Sequence, residues 1–220
     1  MATEEPSQGR RFDPVAGGRS RHRDEAEIEF NRIVAFSDGV FAIAITLLVL
    51  GLTIPAGEAD LSRELLNDRG DFLAYAVSFA VLGRYWLAHH RFFSALERFD
   101  GRLMGLNLFY LAWIALVPFT AGVLGDYGDR TEAVVLYAIN MILVSGSFYL
   151  QLVYSDRAGL LRAEADDYER RQNAPITLVV VGMFAASIPV SFVSPLVAEL
   201  MWVMTFLIGR QVARRIRTAA

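Results

Sequence analysis

The sequence predicts an all-α polytopic membrane protein with six transmembrane helices. Hydrophobic residues make up 54% of its 220 residues, which is more than a soluble domain of this size usually needs. They are gathered into six blocks of roughly 18 to 24 residues, each long enough to cross about 30 Å of hydrocarbon. The chain has no cysteine, which excludes disulfides, thiolate catalysis and cysteine-ligated metals.

The polar ends of the chain define three predicted segments. Residues 1–27 are rich in Arg, Gly, Ser and Glu, and we expect them to form a disordered cytosolic tail. The apolar run that follows is too long for the hydrophobic region of a signal peptide, so we expect no cleavage. Residues 28–210 form the six-helix transmembrane domain, and residues 211–220 form a basic cytosolic tail.

Turns and charged segments set the bounds of the predicted helices. The first runs from about Phe30 to Leu52 and ends at the turn Gly51–Pro55. A polar segment follows, with a short surface helix at Leu61–Leu66, and Pro118 predicts a kink in the third helix. The remaining helices are predicted at about Phe72–Phe93, Leu103–Leu124, Ala133–Tyr154, Ile176–Phe192 and Leu196–Ile208.

The arginines indicate how the helices are oriented. Seventeen of the 21 arginines lie on the side of the N-terminus and three lie on the other side. Because basic residues collect on the cytosolic side, both termini are predicted to be cytosolic. The two larger outer loops carry eight acids, which leaves a net charge of about −5 at the outer mouth and would concentrate cations there.

The first helix carries a carboxylate, Asp38, inside its apolar run. An ionisable group in a membrane is costly, so Asp38 is a candidate functional or assembly residue. Counted from the cytosolic ends of their helices, Asp38 lies about 12 Å deep, Arg84 about 14 Å and His89 about 6 Å, so the three occupy similar levels. The candidate partners of Asp38 are therefore Arg32, Arg84, Ser37 and the histidines. A buried carboxylate needs an ion pair or several hydrogen bonds. We therefore interpret Asp38 as the centre of an inter-helix network, with direct ion ligation as the alternative.

The same helix has an apolar stripe on a different face. At about 100° per residue, Ile43, Leu47 and Leu50 point in similar directions. Thr46 lies beside them, whereas Asp38 points elsewhere. Periodicity leaves two interpretations of the stripe open: ordinary surface that contacts lipid or other helices, and a hydrophobic constriction that gates by dewetting. Polar groups within the later apolar runs are interpreted as inter-helix hydrogen-bond groups; they are Asn107, Asn140 and Gln151.

Two motifs resemble those of the transmembrane protein 175 family of potassium channels. The first is Arg32-x-x-x-Phe36-Ser37-Asp38-Gly39, at the start of the first helix. The second is Trp86-x-x-His89-His90-x-x-Phe93, at the end of the second helix. The six-helix layout with cytosolic termini also fits this family. The resemblance therefore covers nearly all of the chain after residue 27.

This resemblance implies a homotetramer of six-helix subunits around one central pore, permeable to K⁺ and moderately selective over Na⁺. The first helix of each subunit lines the pore, without a Thr-Val-Gly-Tyr-Gly filter. Ile43 is then the tightest point, Leu47 and Leu50 form further apolar rings, and the Thr46 hydroxyl is associated with selectivity. The expected packing network within and between subunits consists of Arg32, Phe36, Ser37, Asp38, Arg84, Trp86, His89 and His90.

The expected partners are the bilayer of a prokaryotic inner (plasma) membrane, further copies of the chain, and K⁺ as the permeant ion. The adjacent His89 and His90 point about 100° apart and make a poor metal site. No nucleophile-and-base arrangement or phosphate-binding loop occurs in the sequence, so we expect no enzyme activity. We expect neither a cofactor nor a nucleic-acid partner.

Two other functions stay open at this point. In a proton-coupled secondary transporter, Asp38 and His89 would relay protons, and Asp38→Asn would abolish transport in a normally assembled protein. In a channel, the same substitution would impair assembly, and changes at Ile43 would alter conduction. The third possibility is a membrane scaffold that transports nothing.

Overall fold

The computed structural model describes residues 14–52, 69–162 and 174–202. Its helices are α1 (Pro14–Leu47), α2 (Arg69–Ser94), α3 (Gly101–Tyr127), α4 (Thr131–Arg157) and α5 (Ala174–Ser191). Residues 195–202 form a further helical stretch, α6, up to the end of the described range. Within these ranges the one β-type pairing is an isolated bridge between Leu96 and Leu161. The prediction of an all-α protein is confirmed.

Four stretches are long and apolar enough to cross a membrane. They are Ile28–Gly51 and the helices α3, α4 and α5, counted over the described residues. Helix α2 has the necessary length, but its second half carries two arginines and two histidines. The protein is therefore an all-helical membrane protein, and the total of six crossings stays a prediction.

Helix α1 begins much earlier than predicted. Residues 14–27, which the sequence placed in a disordered tail, are helical, and Pro14 occupies the first position, where its fixed φ suits a helix. Extending an existing helix is cheaper than nucleating a new one, so the membrane helix continues into the polar segment. The division of the chain into a channel domain and two tails stays a prediction. The surface helix predicted at Leu61–Leu66 lies outside the described residues.

The other end of α1 changes its geometry. Residues Leu48–Gly51 form a 3₁₀ turn, which ends in the extended residue Leu52. Helices α3 and α5 each continue through an internal proline, Pro118 and Pro189. Of the sixth predicted helix, Leu196–Ile208, the described residues up to 202 are helical. The rest of the predicted range lies outside the described residues.

Helix α4 lies at the centre of the packed helices. Of its membrane-length window 56% is buried, against 17% to 28% for the other three candidate spans. It packs against α3 on one side and α5 on the other, while α1 packs against α2 and α3. Helix α1 thus lies at the edge of the subunit, with one face covered by α2 and α3.

A junction joins the ends of α2, α3 and α4. Leu96, after α2, pairs with Leu161, after α4. Gly159 makes the turn between α4 and this pair with a φ of +63°, a conformation that favours glycine. The ring of Phe99 in the junction also meets Phe30 of α1 edge-on, with centroids 6.1 Å apart. The junction therefore reaches the start of the membrane part of α1.

Asp100 connects the start of α3 to the end of α4. Its Oδ1 accepts a hydrogen bond from the backbone N–H of Leu103 at 2.8 Å, which makes it the N-cap of α3. Its Oδ2 accepts a hydrogen bond from the hydroxyl of Tyr154 at 2.5 Å. The Tyr154 bond, followed by the Leu103 bond, holds the pKa of the Asp100 carboxyl below its usual range, because both favour the charged form.

We expect Asp100→Ala to lower the free energy of unfolding by about 1 kcal/mol through loss of the cap. Asp100→Asn should keep most of the stability that the cap provides. Its free energy of unfolding should no longer change with pH through the ionisation of this side chain. The folded pKa of Asp100 is depressed, so its charge contributes stability above the unfolded pKa of about 4, and this is lost as the pH falls through the folded value.

The measurement is the thermal unfolding midpoint of the purified protein in detergent, at neutral and at acidic pH. Asp129→Ala is the matched control, because Asp129 is exposed in the turn between α3 and α4. Equal midpoints for wild type and Asp100→Ala at neutral pH would contradict this account of the junction.

Candidate functional site

The buried face of α1 follows a regular helical spacing. Ser37, Phe41, Ala44 and Leu48 are all buried, and they recur every three or four residues. Phe41 packs against the ring of Tyr110 in α3, with centroids 6.1 Å apart. This spacing directs the four side chains towards the helices that cover α1.

The opposite face of α1 is exposed along its whole membrane-spanning part. Ile43 is 61% exposed, Leu47 42% and Leu50 69%. A Cβ added at Gly39 would meet nothing within 4 Å. Within the described residues this face is therefore open, and it includes the stripe that the helical angles indicated.

Thr46 lies on the same exposed face. Its hydroxyl donates a hydrogen bond to the carbonyl oxygen of Ile43 at 2.9 Å. The hydroxyl proton is therefore committed to the helix backbone, while the oxygen keeps lone pairs that can accept a hydrogen bond or contact a cation.

A buried chain of hydrogen bonds links α1 to the two helices beside it. Nε2 of His89 in α2 lies 2.9 Å from Oδ1 of Asn107 in α3. The Asn107 amide donates to Oγ of Ser37 at 3.0 Å, and Ser37 donates to the carbonyl oxygen of Ile33 at 2.9 Å. Because an amide oxygen only accepts, Nε2 of His89 is assigned as the donor. This chain fixes the rotation of α1 relative to α2 and α3.

Aromatic rings hold the imidazole of His89 in place. The ring stacks on Phe93 at 4.2 Å between centroids and on Tyr110 at 5.7 Å. Phe41 of α1 meets it at 5.6 Å. The imidazole is therefore positioned on its faces by packing and at its edge by the bond to Asn107.

Asp38 is bound by a tryptophan. Nε1 of Trp86 donates to Oδ1 of Asp38 at 2.8 Å, and the Trp86 ring stacks on His90 at 5.6 Å. Arg84 was one of the candidate partners of Asp38 in the sequence, but it is exposed and lines a groove on α2. Two residues along a helix differ by about 200° in direction, so α2 can present only one of these side chains to Asp38.

Apart from Arg84 in its groove, the predicted network residues separate into two groups. The structure brings together Ser37, Asp38, Trp86, His89 and His90. Arg32 and Phe36 instead lie on the exposed side of α1, in line with Ile43. The chain of hydrogen bonds depends on Asn107, which the sequence identified as an inter-helix group without assigning it to this network.

Metal coordination finds no support in the described part of the chain. No group of three or more His, Asp or Glu side chains there is arranged to hold a metal ion. The polar groups of this site act through hydrogen bonds between helices.

Comparison with known proteins identifies the family of this chain. The family model described as "Endosomal/lysosomal potassium channel TMEM175" matches residues 32–118, which include both motifs. A potassium channel from Chamaesiphon minutus is 34% identical over 176 residues, which cover 76% of this chain and 86% of that protein. The chain belongs to the TMEM175 family. The family-model match begins at Arg32 and includes every residue of the hydrogen-bond chain from α1 to α3.

Two further proteins extend the comparison within the TMEM175 family. A potassium channel from Streptomyces collinus is 39% identical over 130 residues, 57% of this chain, and the match spans 63% of the length of that relative. The crystal structure of a homologue of the lysosomal potassium-selective channel TMEM175 from Chamaesiphon minutus superposes with a TM-score of 0.66. It is 29% identical and covers 86% of this chain and 98% of the other.

We predict that Asn107→Ala loosens α1 from its neighbours. The substitution leaves Nε2 of the buried His89 without its acceptor, at a cost of about 1–3 kcal/mol. It also removes the donor to Ser37, which keeps only its bond to the Ile33 carbonyl within α1. Because the natural chain has no cysteine, a single Ala44→Cys reporter on the buried face can measure the rotation of α1. Maleimide should label this cysteine faster in the Asn107→Ala background.

Asn140→Ala is the matched control for this test. Asn140 is also buried and donates to Thr120 at 3.0 Å, so its hydrogen bond joins α4 to α3 and does not involve α1. It should lower the unfolding midpoint and leave the labelling of Ala44→Cys unchanged. Equal labelling rates in the two backgrounds would show that Asn107 has no particular role in orienting α1.

Proposed function

We propose that the protein is a potassium-permeable cation channel, with a single pore lined by α1. The observation that carries this proposal is the division of α1 into two faces. One face is fixed by hydrogen bonds to α2 and α3, and the other is apolar and open from Phe36 to Leu50. The matched bacterial relatives are named potassium channels.

The pore requires several copies of the chain. One helix cannot enclose a pore, and the α1 motif occurs once in the sequence. We infer a homotetramer in which the four α1 helices face a common axis. Arg32 and Phe36 continue the exposed stripe beyond Ile43, so they would contact neighbouring subunits rather than their own.

We infer that each subunit crosses the membrane six times, with both termini in the cytosol of a prokaryotic cell. The distribution of arginines supports this orientation, because seventeen of them lie on the proposed inner side. The acids of the outer loops would then surround the outer mouth and attract cations.

The constriction would be formed by Ile43, with Leu47 and Leu50 as further apolar rings. All three side chains are exposed in the subunit, so none is needed to fill its own core. Thr46 would place a hydroxyl oxygen next to this constriction. A narrow apolar ring can block ions by excluding water, and a nearby oxygen can favour the more easily dehydrated cation.

A proton relay through Asp38 and His89 is less well supported. Asp38 accepts from Trp86, whereas His89 is paired with Asn107. The two proposed relay groups thus have separate partners, and both bonds serve to hold helices together. No specific feature of the site favours the transporter.

We expect Ile43→Ala to raise K⁺ flux through reconstituted liposomes, because a smaller side chain widens the constriction. Ile139→Ala is the matched control: Ile139 is an exposed isoleucine on α4, away from the proposed pore. Neither change leaves a cavity in the core of the subunit, so both proteins should fold normally.

If wild type conducts K⁺ and Ile43→Ala conducts no faster, α1 does not form the constriction. If Ile139→Ala raises the flux as much as Ile43→Ala, the effect comes from a general loosening of the subunit. Absence of flux in correctly assembled wild-type protein would reject the channel itself.

Thr46 offers a test of selectivity. Thr46→Val keeps the shape of the side chain and removes the oxygen, so the preference for K⁺ over Na⁺ should fall. Thr46→Ser keeps the hydroxyl and should retain the preference. Reversal potentials under bi-ionic K⁺ and Na⁺ gradients measure this, and equal potentials for Thr46→Val and wild type would exclude the hydroxyl from selectivity.

A further inference from the structure

We propose that the groove between α1 and α2 binds an anionic phospholipid, with its phosphate held by Arg84 and Arg91. The groove has a volume of about 600 Å³ and opens on the outside of the subunit. This site is separate from the proposed pore face of α1 and from the buried hydrogen-bond chain. Its lining includes Ile45 of α1 and Phe79, Ala80, Gly83, Arg84 and Arg91 of α2.

Arg84 is the first reason for this proposal. It lies within α2, is exposed, and lines a groove that is otherwise mostly apolar. In the part of the chain that the structure describes, no carboxylate forms an ion pair with its guanidinium. A cation within a membrane helix is costly unless an anion or water reaches it. Among the described residues no anion meets Arg84, and its exposed position on the groove makes it accessible to an anionic ligand.

Arg91 is the second reason. It lies two turns further along α2, about 10 Å closer to the Ser94 end, and lines the same groove. Its Nε donates to the carbonyl oxygen of Leu87 at 3.2 Å, and its other guanidinium N–H groups remain able to donate. Arginine side chains are long and bind phosphate through paired N–H groups. Both residues can thus approach one phosphate group.

The order of side chains along the groove matches that of a lipid. The two arginines lie towards the Ser94 end of α2, and Phe79 and Ala80 lie deeper in the helix. A lipid headgroup at the arginines would place its acyl chain against these apolar residues and Ile45 of α1. Basic pockets between membrane helices on the cytoplasmic side are suited to anionic headgroups.

Gly83 keeps the middle of the groove open. A Cβ built on it would meet nothing within 4 Å. A leucine at this position would therefore fill the path of the acyl chain without disturbing the packing of the subunit. This allows the apolar part of the site to be tested with both arginines in place.

A second copy of the chain is the rival occupant, but it supplies the wrong chemistry. It would have to bring a carboxylate to Arg84, and the acid in the apolar interior of the described helices α1 to α5 is Asp38. The Asp38 carboxylate is already bound by Trp86 of its own subunit. The charge of the groove is therefore better matched by a lipid phosphate.

The experiment is native mass spectrometry of the purified full chain in detergent, with equal amounts of phosphatidylglycerol and phosphatidylcholine. Wild type should retain phosphatidylglycerol in preference to phosphatidylcholine. Arg84→Gln should reduce this preference by about fivefold, the effect of one basic residue at an anionic lipid surface. Gly83→Leu should reduce the retention of both lipids.

Two controls keep the result specific. Arg157→Gln removes an exposed arginine at the end of α4, and Gly122→Leu fills an equally open glycine position on α3. Both should bind lipid as wild type does. The unfolding midpoint of each variant confirms that it is folded, and Gly83→Leu tests the groove independently of Arg84.

The proposal is overturned if folded Arg84→Gln keeps the wild-type preference for phosphatidylglycerol, or if the controls lose lipid equally. The same spectra give the mass of the assembly. A change in the number of subunits in Arg84→Gln, with unchanged lipid retention, would identify the groove as an interface between copies and would also overturn the proposal.

Discussion

The buried hydrogen bonds from His89 through Asn107 to Ser37 are the constraint on which the arrangement of α1 depends. In a bilayer no water is available to replace such a bond, so each buried polar group must find its partner within the protein. Apolar contacts tolerate small rotations of a helix, because one methyl group can replace another. The chain of three hydrogen-bonded side chains does not tolerate such rotations, because each hydrogen bond requires a particular distance and direction. The rotation of α1 is therefore set by polar groups, and its apolar outer face follows from that setting.

Much of the division of α1 into a buried polar face and an exposed apolar face could be predicted from the sequence. A carboxylate inside an apolar run must be paired, which identified Asp38 as a group facing other helices, with Ser37 among its candidate partners. The regular turn of a helix then placed Ile43 on a different face. Both steps need only local geometry, and the burial of Ser37 and the exposure of Ile43 agree with them. The all-α class follows similarly from the length of the apolar runs.

The identity of each partner could not be predicted in the same way. Depth in the membrane gives the level of a residue along α2, but it does not give the rotation of that helix. Arg84 and Trp86 are at nearly the same level and point in almost opposite directions. The rotation of α2 depends on tertiary packing, and in the structure the indole of Trp86 faces Asp38. The early start of α1 at Pro14 likewise depends on a stable helix that follows it, which local composition does not reveal.

The 3₁₀ turn at Leu48–Gly51 has a consequence for the shape of the proposed pore. On a regular α-helix, Leu47 and Leu50 would point about 60° apart. In a 3₁₀ turn, side chains three residues apart eclipse one another, separated by about 6 Å along the axis. Leu47 immediately precedes the turn, and its φ of −66° and ψ of −24° are close to 3₁₀ values. The two leucines of each subunit would therefore lie nearly above one another and, in the proposed tetramer, would form two successive apolar rings. Either leucine ring could keep the proposed pore closed without the other, whereas the proposed ring of Ile43 has no duplicate.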